Sequence, residues 1–251
     1  MWRLIKTEFT KLRSTRTVWG FLAGALTLTV LGVTAAIATA DSRNIDLGSA
    51  DGVRTVLHAS AAGAIFVIAL GIIGMAGEFR LGTITDTLLT TPRRGRIVAA
   101  KVVAYTTTGL VFGTLSIITA LAVAMPWLDS KGVPLSLSDT NVWLSVLGAI
   151  LWAGLYGAVG VSIGALVRNQ MTALLGAFAW LLLAEQLIGG FLGGVDLAGA
   201  VKWLPGAAAK ALGRAPEADL LSMWAGGVVL GIYAVVFALL AVRFTIRRDV
   251  T

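Results

Sequence analysis

Six long apolar runs, separated by short polar stretches, set the pattern of the chain: Val18–Ala40, Val56–Gly77, Val102–Pro126, Val142–Val167, Met171–Val195 and Ser222–Val242. Each reaches the roughly 20 residues that a helix needs to cross about 30 Å of hydrocarbon. Alternating blocks of ~10 residues, the mark of a membrane β-barrel, do not occur. The pattern therefore predicts an all-α polytopic membrane protein, with six spans forming one transmembrane domain over residues 1–251. The first run follows basic residues and closes on Ala38-Thr39-Ala40, in imitation of a cleavable signal peptide. Its apolar core far exceeds the usual ~7–15 residues, so it reads as a retained span.

The segments between the runs have patterns of their own. In Met1–Thr17, Trp2, Ile5, Phe9 and Leu12 recur at spacings of three and four while Arg3, Lys6, Lys11, Arg13 and Arg16 cover much of the rest. That is an amphipathic helix suited to the membrane interface. Residues 78–101 gather Arg80, Arg93, Arg94, Arg96 and Lys101 behind Glu78. Within them Leu81, Ile84 and Leu88 form an apolar stripe, so Leu81–Thr91 is expected as a short amphipathic helix. Thr83 is placed to cap it, Asp86 suits its early turn, and Pro92 stops it. The longest loop, 196–221, is partly apolar and broken by Pro205 and Pro216, which places it at the interface rather than in water.

Composition agrees: 57% of residues are hydrophobic, only 13% are charged, and the mean hydropathy is +0.87. An ordinary soluble domain is about a quarter charged. The net charge of +7 is mainly a topology signal. Six spans put both termini on one side. That side, with the N-terminal segment, residues 80–101, Arg168 and the C-terminal arginines, holds fourteen of the 20 Lys and Arg residues. The other side holds six: Arg43, Arg54, Lys131, Lys202, Lys210 and Arg214. Cytoplasmic loops carry the excess, so both ends are expected to be cytoplasmic. Trp19, Trp127, Trp143, Trp203 and Trp224 fall at span ends, where indole rings favour the interface. Trp152 and Trp180 fall near mid-membrane and read as packing or lipid-facing residues. Cations beside spans rather than on a soluble domain speak against nucleic-acid binding.

Candidate chemistry is sparse. With no cysteine, disulfides, thiol nucleophiles and thiolate metal sites are excluded. No G-x-x-x-x-G-K-[ST] motif is present to cradle a nucleotide. Gly160-Val161-Ser162-Ile163-Gly164 matches the nucleophile-elbow spacing. Its only possible histidine, His58, belongs at the opposite end of a different span. Small residues four apart serve close helix packing, and the spacing recurs at Gly20/Gly24, Gly109/Gly113, Gly190/Gly194 and Gly227/Gly231. Glu185, followed by Gln186, is the one acidic residue deep inside a run. A charge at a span centre costs about 3 kcal/mol, so Glu185 is expected either protonated or hydrogen-bonded to Gln186 or a span Ser/Thr. Glu185 and Gln186 are the candidates for a translocation pathway.

"TEFTKLRSTRT", "GEFRLGTITDTLLTTPRRGRIVAAK", "VRNQMTAL" and "WLPGAAAKAL" together give the chain a recognisable character. It resembles the six-span permease subunits of ABC-2-type ABC transporters over essentially its whole length. The resemblance implies that the N-terminal helix is an elbow helix, with Glu8 and Lys11 matching it. It also implies that the loop after the second span is a coupling helix docking into a separate ATPase, with Glu78, Arg80, Gly82, Thr83, Asp86, Pro92, Arg94, Arg96 and Lys101 as the coupling region. Short re-entrant helices are implied in residues 196–221, forming a lid. Two permease chains, a homodimer, would pair with two ATPase chains in the bacterial cytoplasmic membrane. The chain itself would be no enzyme and bind no cofactor or metal; ATP and Mg would sit on the partner.

Two functions follow as expectations. The first is the membrane half of an ATP-driven exporter of a hydrophobic or amphiphilic cargo, such as a drug, peptide antibiotic or lipid. The alternative is an ATPase-independent, proton-coupled secondary carrier using Glu185. Inverted repeats and paired broken helices, frequent in carriers, are not evident.

Overall fold

The structure is a computed structural model that describes residues 1–83, 94–133, 140–194, 198–217 and 219–245. Every regular element among them is helical. An N-terminal helix α1 (Trp2–Ser14) turns at Thr15 into α2 (Arg16–Ala38). Then come α3 (Ala50–Ala59), a 3₁₀ turn (Ser60–Gly63), α4 (Ala64–Arg80), α5 (Arg94–Ser130) and α6 (Thr140–Val167). Next are α7 (Gln170–Ala179), a π turn (Trp180–Ala184), α8 (Glu185–Gly194), α9 (Ala198–Val201) and α10 (Pro205–Leu212). The last helix is α11 (Met223–Leu240), which ends in a second π turn (Ala241–Thr245). Six helical stretches are long and apolar enough to cross a membrane: Arg16–Ala38, Ala50–Arg80, Gly95–Ser130, Thr140–Val167, Gln170–Gly193 and Met223–Arg243. This is a multi-pass helical membrane protein.

The helices run further than the apolar runs that mark them. The second continues beyond Gly77 to Arg80, and the third starts at Arg94 and passes through Pro126 to Ser130. A proline removes one intrahelical bond, and here it lies in the last turns, where that loss stops nothing. Glu78, Arg80, Arg96 and Lys101, expected in a loop, therefore stand on helix ends. Leu81 is likewise not the start of a loop helix. It caps α4, Gly82 turns with φ 72°, and Thr83 is itself helical. Asp86 and Pro92, with the rest of the expected coupling helix, lie outside the described residues.

Two elements form the core. In the second and fourth spanning stretches 67% of the most apolar window is buried, against 11% in the fifth. α6 packs along both α4 and α5 and is apolar all round, as a buried helix is. Backbone contact makes this packing close. A Cβ at Gly160 would fall on the Ile68 carbonyl, and one at Gly109 on the Ala153 carbonyl. The Gly160/Gly164 and Gly109/Gly113 pairs are thus used for packing, whereas Gly20, Gly190 and Gly231 face open space. Within residues 196–221, α10 packs into the bundle. Ala207, Ala208, Ala209, Ala211 and Leu212 are buried, because its alanine face is small enough to enter between α6 and α11.

Candidate functional site

Four charged side chains meet where α1 crosses the ends of α4 and α5. The Lys101 ammonium lies 2.6 Å from Glu8 Oε2 and 2.8 Å from Glu78 Oε1, and it donates a third bond to the Gly74 carbonyl at 3.2 Å. All three donor positions of the ammonium are used. Lys11 closes the ring, 2.7 Å from Glu78 Oε1 and 3.2 Å from Glu8 Oε1. Local structure explains the convergence. Glu8 and Lys11 are three residues apart and share one face of α1 with buried Leu12. Gly74 and Glu78 are four apart on α4, so the Gly74 carbonyl and the Glu78 carboxylate both point at the Lys101 stem.

The cluster is nearly dry. Lys101 is 1% exposed, Glu8 5% and Glu78 8%. Separating such charges from water costs several kcal/mol per ion, and only near-complete pairing offsets it. Glu78 Oε2 is buried with no hydrogen-bond partner among the described residues. Tyr105, one turn after Lys101 on α5, is buried with its ring against Gly74. Lys11 is the solvent-facing member, its side chain 46% exposed. Partial burial works against its charge, but the hydrogen bond to Glu78 and the charges of Glu78 and Glu8 outweigh that and raise its pKa above 10.5.

Other residues of the expected coupling region are less constrained. Arg80, Gly82, Thr83 and Arg96 are exposed at the helix ends around the loop. Arg94 opens α5, its side chain outside the described residues. Beside them, Arg168 turns the chain between α6 and α7 with φ 61° and lies over the Phe79 ring, 5.5 Å from its centroid. That cation–π contact ties the second loop on this end to α4. Gly74, Phe79 and Tyr105 were not foreseen, because a glycine carbonyl and two aromatic rings carry no charge signal that would single them out; Arg168 was marked only as a topology cation and part of a family motif.

Within the fifth span Glu185 is hydrogen-bonded, but, among the described residues, neither to Gln186 nor to a span hydroxyl. Its carboxylate accepts N–H bonds from Gly206 at 2.9 Å and Ala207 at 2.7 Å. These are the first free amides of α10, opened by Pro205, where the helix dipole favours an anion. The π turn just before Glu185 advances the side chain around the helix axis relative to a continuous α-helix, toward α10. Gln186 is exposed and borders the same space. Ser162 is enclosed, donating to the Ala158 carbonyl at 2.8 Å and the Ala234 carbonyl at 3.1 Å, while His58 stacks near Trp152 at the α10 end. The serine is a packing residue.

Models of known protein families were compared with the chain and none matches; a comparison with curated proteins likewise gives no match.

Proposed function

We propose that this chain is the membrane-spanning permease subunit of an ATP-driven exporter of the ABC-2 type, working with a separate ATPase. The observation that carries the reading is the buried cluster of Glu8, Lys11, Glu78 and Lys101. It joins the N-terminal helix to the two helix ends from which the arginine-rich loop springs. A force applied to that loop reaches α1, α4 and α5 together, which is what an elbow and a coupling helix need in order to move a bundle as a unit. In this reading the loop and both termini face the cytoplasm, a second permease chain completes the pathway, and ATP with Mg binds the partner. The cargo is hydrophobic or amphiphilic.

The proton-coupled carrier is the weaker reading. A carboxylate held by two backbone amides serves as an anchor, and releasing it at each cycle would leave both donors without an acceptor.

The test uses the absence of native cysteine. A single cysteine at Asp86 is crosslinked in native membranes and the captured protein is identified by mass spectrometry. Capture of an ATPase, lost when Arg94 becomes Glu, supports the reading. Preparations that export cargo yet yield no ATPase, and lose export when the proton gradient collapses, refute it.

A further inference from the structure

Two cavities meet at the α10 end of the bundle. One, of about 360 Å³, lies between α6, α7 and α11 and is walled almost wholly by apolar side chains from Tyr156 and Ile163 to Phe237. The other, of about 380 Å³, contains Glu185, Lys202, Lys210, Glu217 and Asp219. Leu181 borders both, and so does one short piece of chain: Leu204-Pro205 face the apolar cavity and Gly206-Ala207 the charged one. The Glu185 carboxylate, bonded to Gly206 and Ala207, fixes this partition.

We propose that the pair of cavities binds one zwitterionic glycerophospholipid, with an acyl chain in the apolar cavity and the headgroup in the charged pocket. Charge inventory selects the headgroup. Glu185 is satisfied by backbone amides, and Lys210 pairs with Glu217 at 3.0 Å. Lys202 and Asp219 make no ion pair among the described residues. Among the described residues this leaves one cation and one anion of the pocket without an ion-pair partner, which complement a phosphate and an ammonium together. A purely anionic head would leave Asp219 opposed, and a purely cationic one would leave Lys202 opposed. Dimensions select the chain. From Tyr156 to Val167 the apolar wall follows α6 for about 16 Å at ~1.5 Å per residue. The wall runs from mid-helix toward the Arg168 turn, away from the charged pocket, so a chain whose head occupies that pocket extends along it. Thr172, Gly176 and Trp180 at the cavity edge are exposed, so a chain enters sideways from the bilayer. The site rests on this chain alone and holds whether or not an ATPase docks at the other end.

The experiment is native mass spectrometry of the purified full-length chain, titrated in micelles with phosphatidylethanolamine or phosphatidylglycerol. The zwitterionic lipid is expected to be retained about fivefold more strongly, the scale of one partly exposed charge contact. Gly176→Phe, introduced where a Cβ meets nothing within 4 Å, fills the mouth and lowers retention of both lipids about tenfold. Asp219→Asn abolishes the headgroup preference while keeping the left-handed backbone at φ 60° that asparagine tolerates. Equal retention of the two lipids by the native chain overturns the proposal, as does wild-type retention by a helical Gly176→Phe. Should Gly176→Phe not fold, Asp219→Asn decides: an unchanged preference overturns the headgroup assignment and with it the site. Failure to capture an ATPase at Asp86 leaves these outcomes untouched.

Discussion

The Lys101 ammonium and the Glu8 carboxylate are 2.6 Å apart, although 93 positions separate them in the chain and the lysine is 1% exposed. Lys101→Met would remove the cation and leave the buried carboxylates of Glu8 and Glu78 facing each other. Breaking a buried pair in this way costs about 3–5 kcal/mol, so a marked loss of thermal stability is expected in detergent-purified protein. Adding Glu8→Gln and Glu78→Gln to that variant should restore most of it. A triple variant no more stable than Lys101→Met would show that the cluster is not the source of the loss.

Lys11 sits on the wet side of the same cluster, and Lys11→Ala should cost far less, on the order of 1 kcal/mol or below. Its raised pKa gives the pH dependence a sign. The charged lysine's contribution is complete below 10.5 and is lost only as pH rises through the higher folded-state value. Amide exchange in Trp2–Ser14, corrected for intrinsic rates, should therefore show constant protection from about pH 6 to pH 9. A fall in protection within that window would contradict the assignment.

Glu185→Ala removes the acceptor of two amides at the start of α10. Orphaned donors of this kind cost about 1–3 kcal/mol, so Gly206 and Ala207 should exchange roughly tenfold faster or more by hydrogen–deuterium measurement. Glu185→Gln keeps one acceptor oxygen and should fall between. Transport that is unchanged in rate and pH dependence by Glu185→Gln would dismiss any pathway role for this carboxylate.

Gly160→Ala should destabilise by about 1–3 kcal/mol, because its Cβ would meet the Ile68 carbonyl, which cannot swing aside as a side chain can. Gly20→Ala, in open space on α2, should be neutral or gain up to ~1 kcal/mol of helix propensity. Thermal unfolding of the two variants side by side separates packing glycines from incidental ones.

Gly82→Pro replaces a residue at φ 72° by one locked near −65°. On the exporter reading it should uncouple ATP hydrolysis from transport without preventing membrane insertion, as should Arg94→Glu. Normal transport by both, measured in vesicles with the ATPase present, would remove the loop from the mechanism.

The sequence by itself determined that six apolar segments span a bilayer, because about 20 consecutive apolar residues have no other stable solvent. It also marked Lys11, Glu78 and Lys101 as charged residues of the interhelical segments, and Glu8 only through the family resemblance, without relating the four to one another. Only the tertiary structure decided that they form one ion cluster: partners 93 and 23 positions away leave no periodic trace in a chain. The same holds for Glu185. Its charge within a span was plain from residue order, but its partners are backbone amides, which every residue but proline carries, so no side-chain pattern marks Gly206 and Ala207. Spacing likewise could not tell Gly160, pressed on the Ile68 carbonyl, from Gly20, facing open space. Composition places a helix in the membrane; which face of it meets another helix is settled by three-dimensional contact.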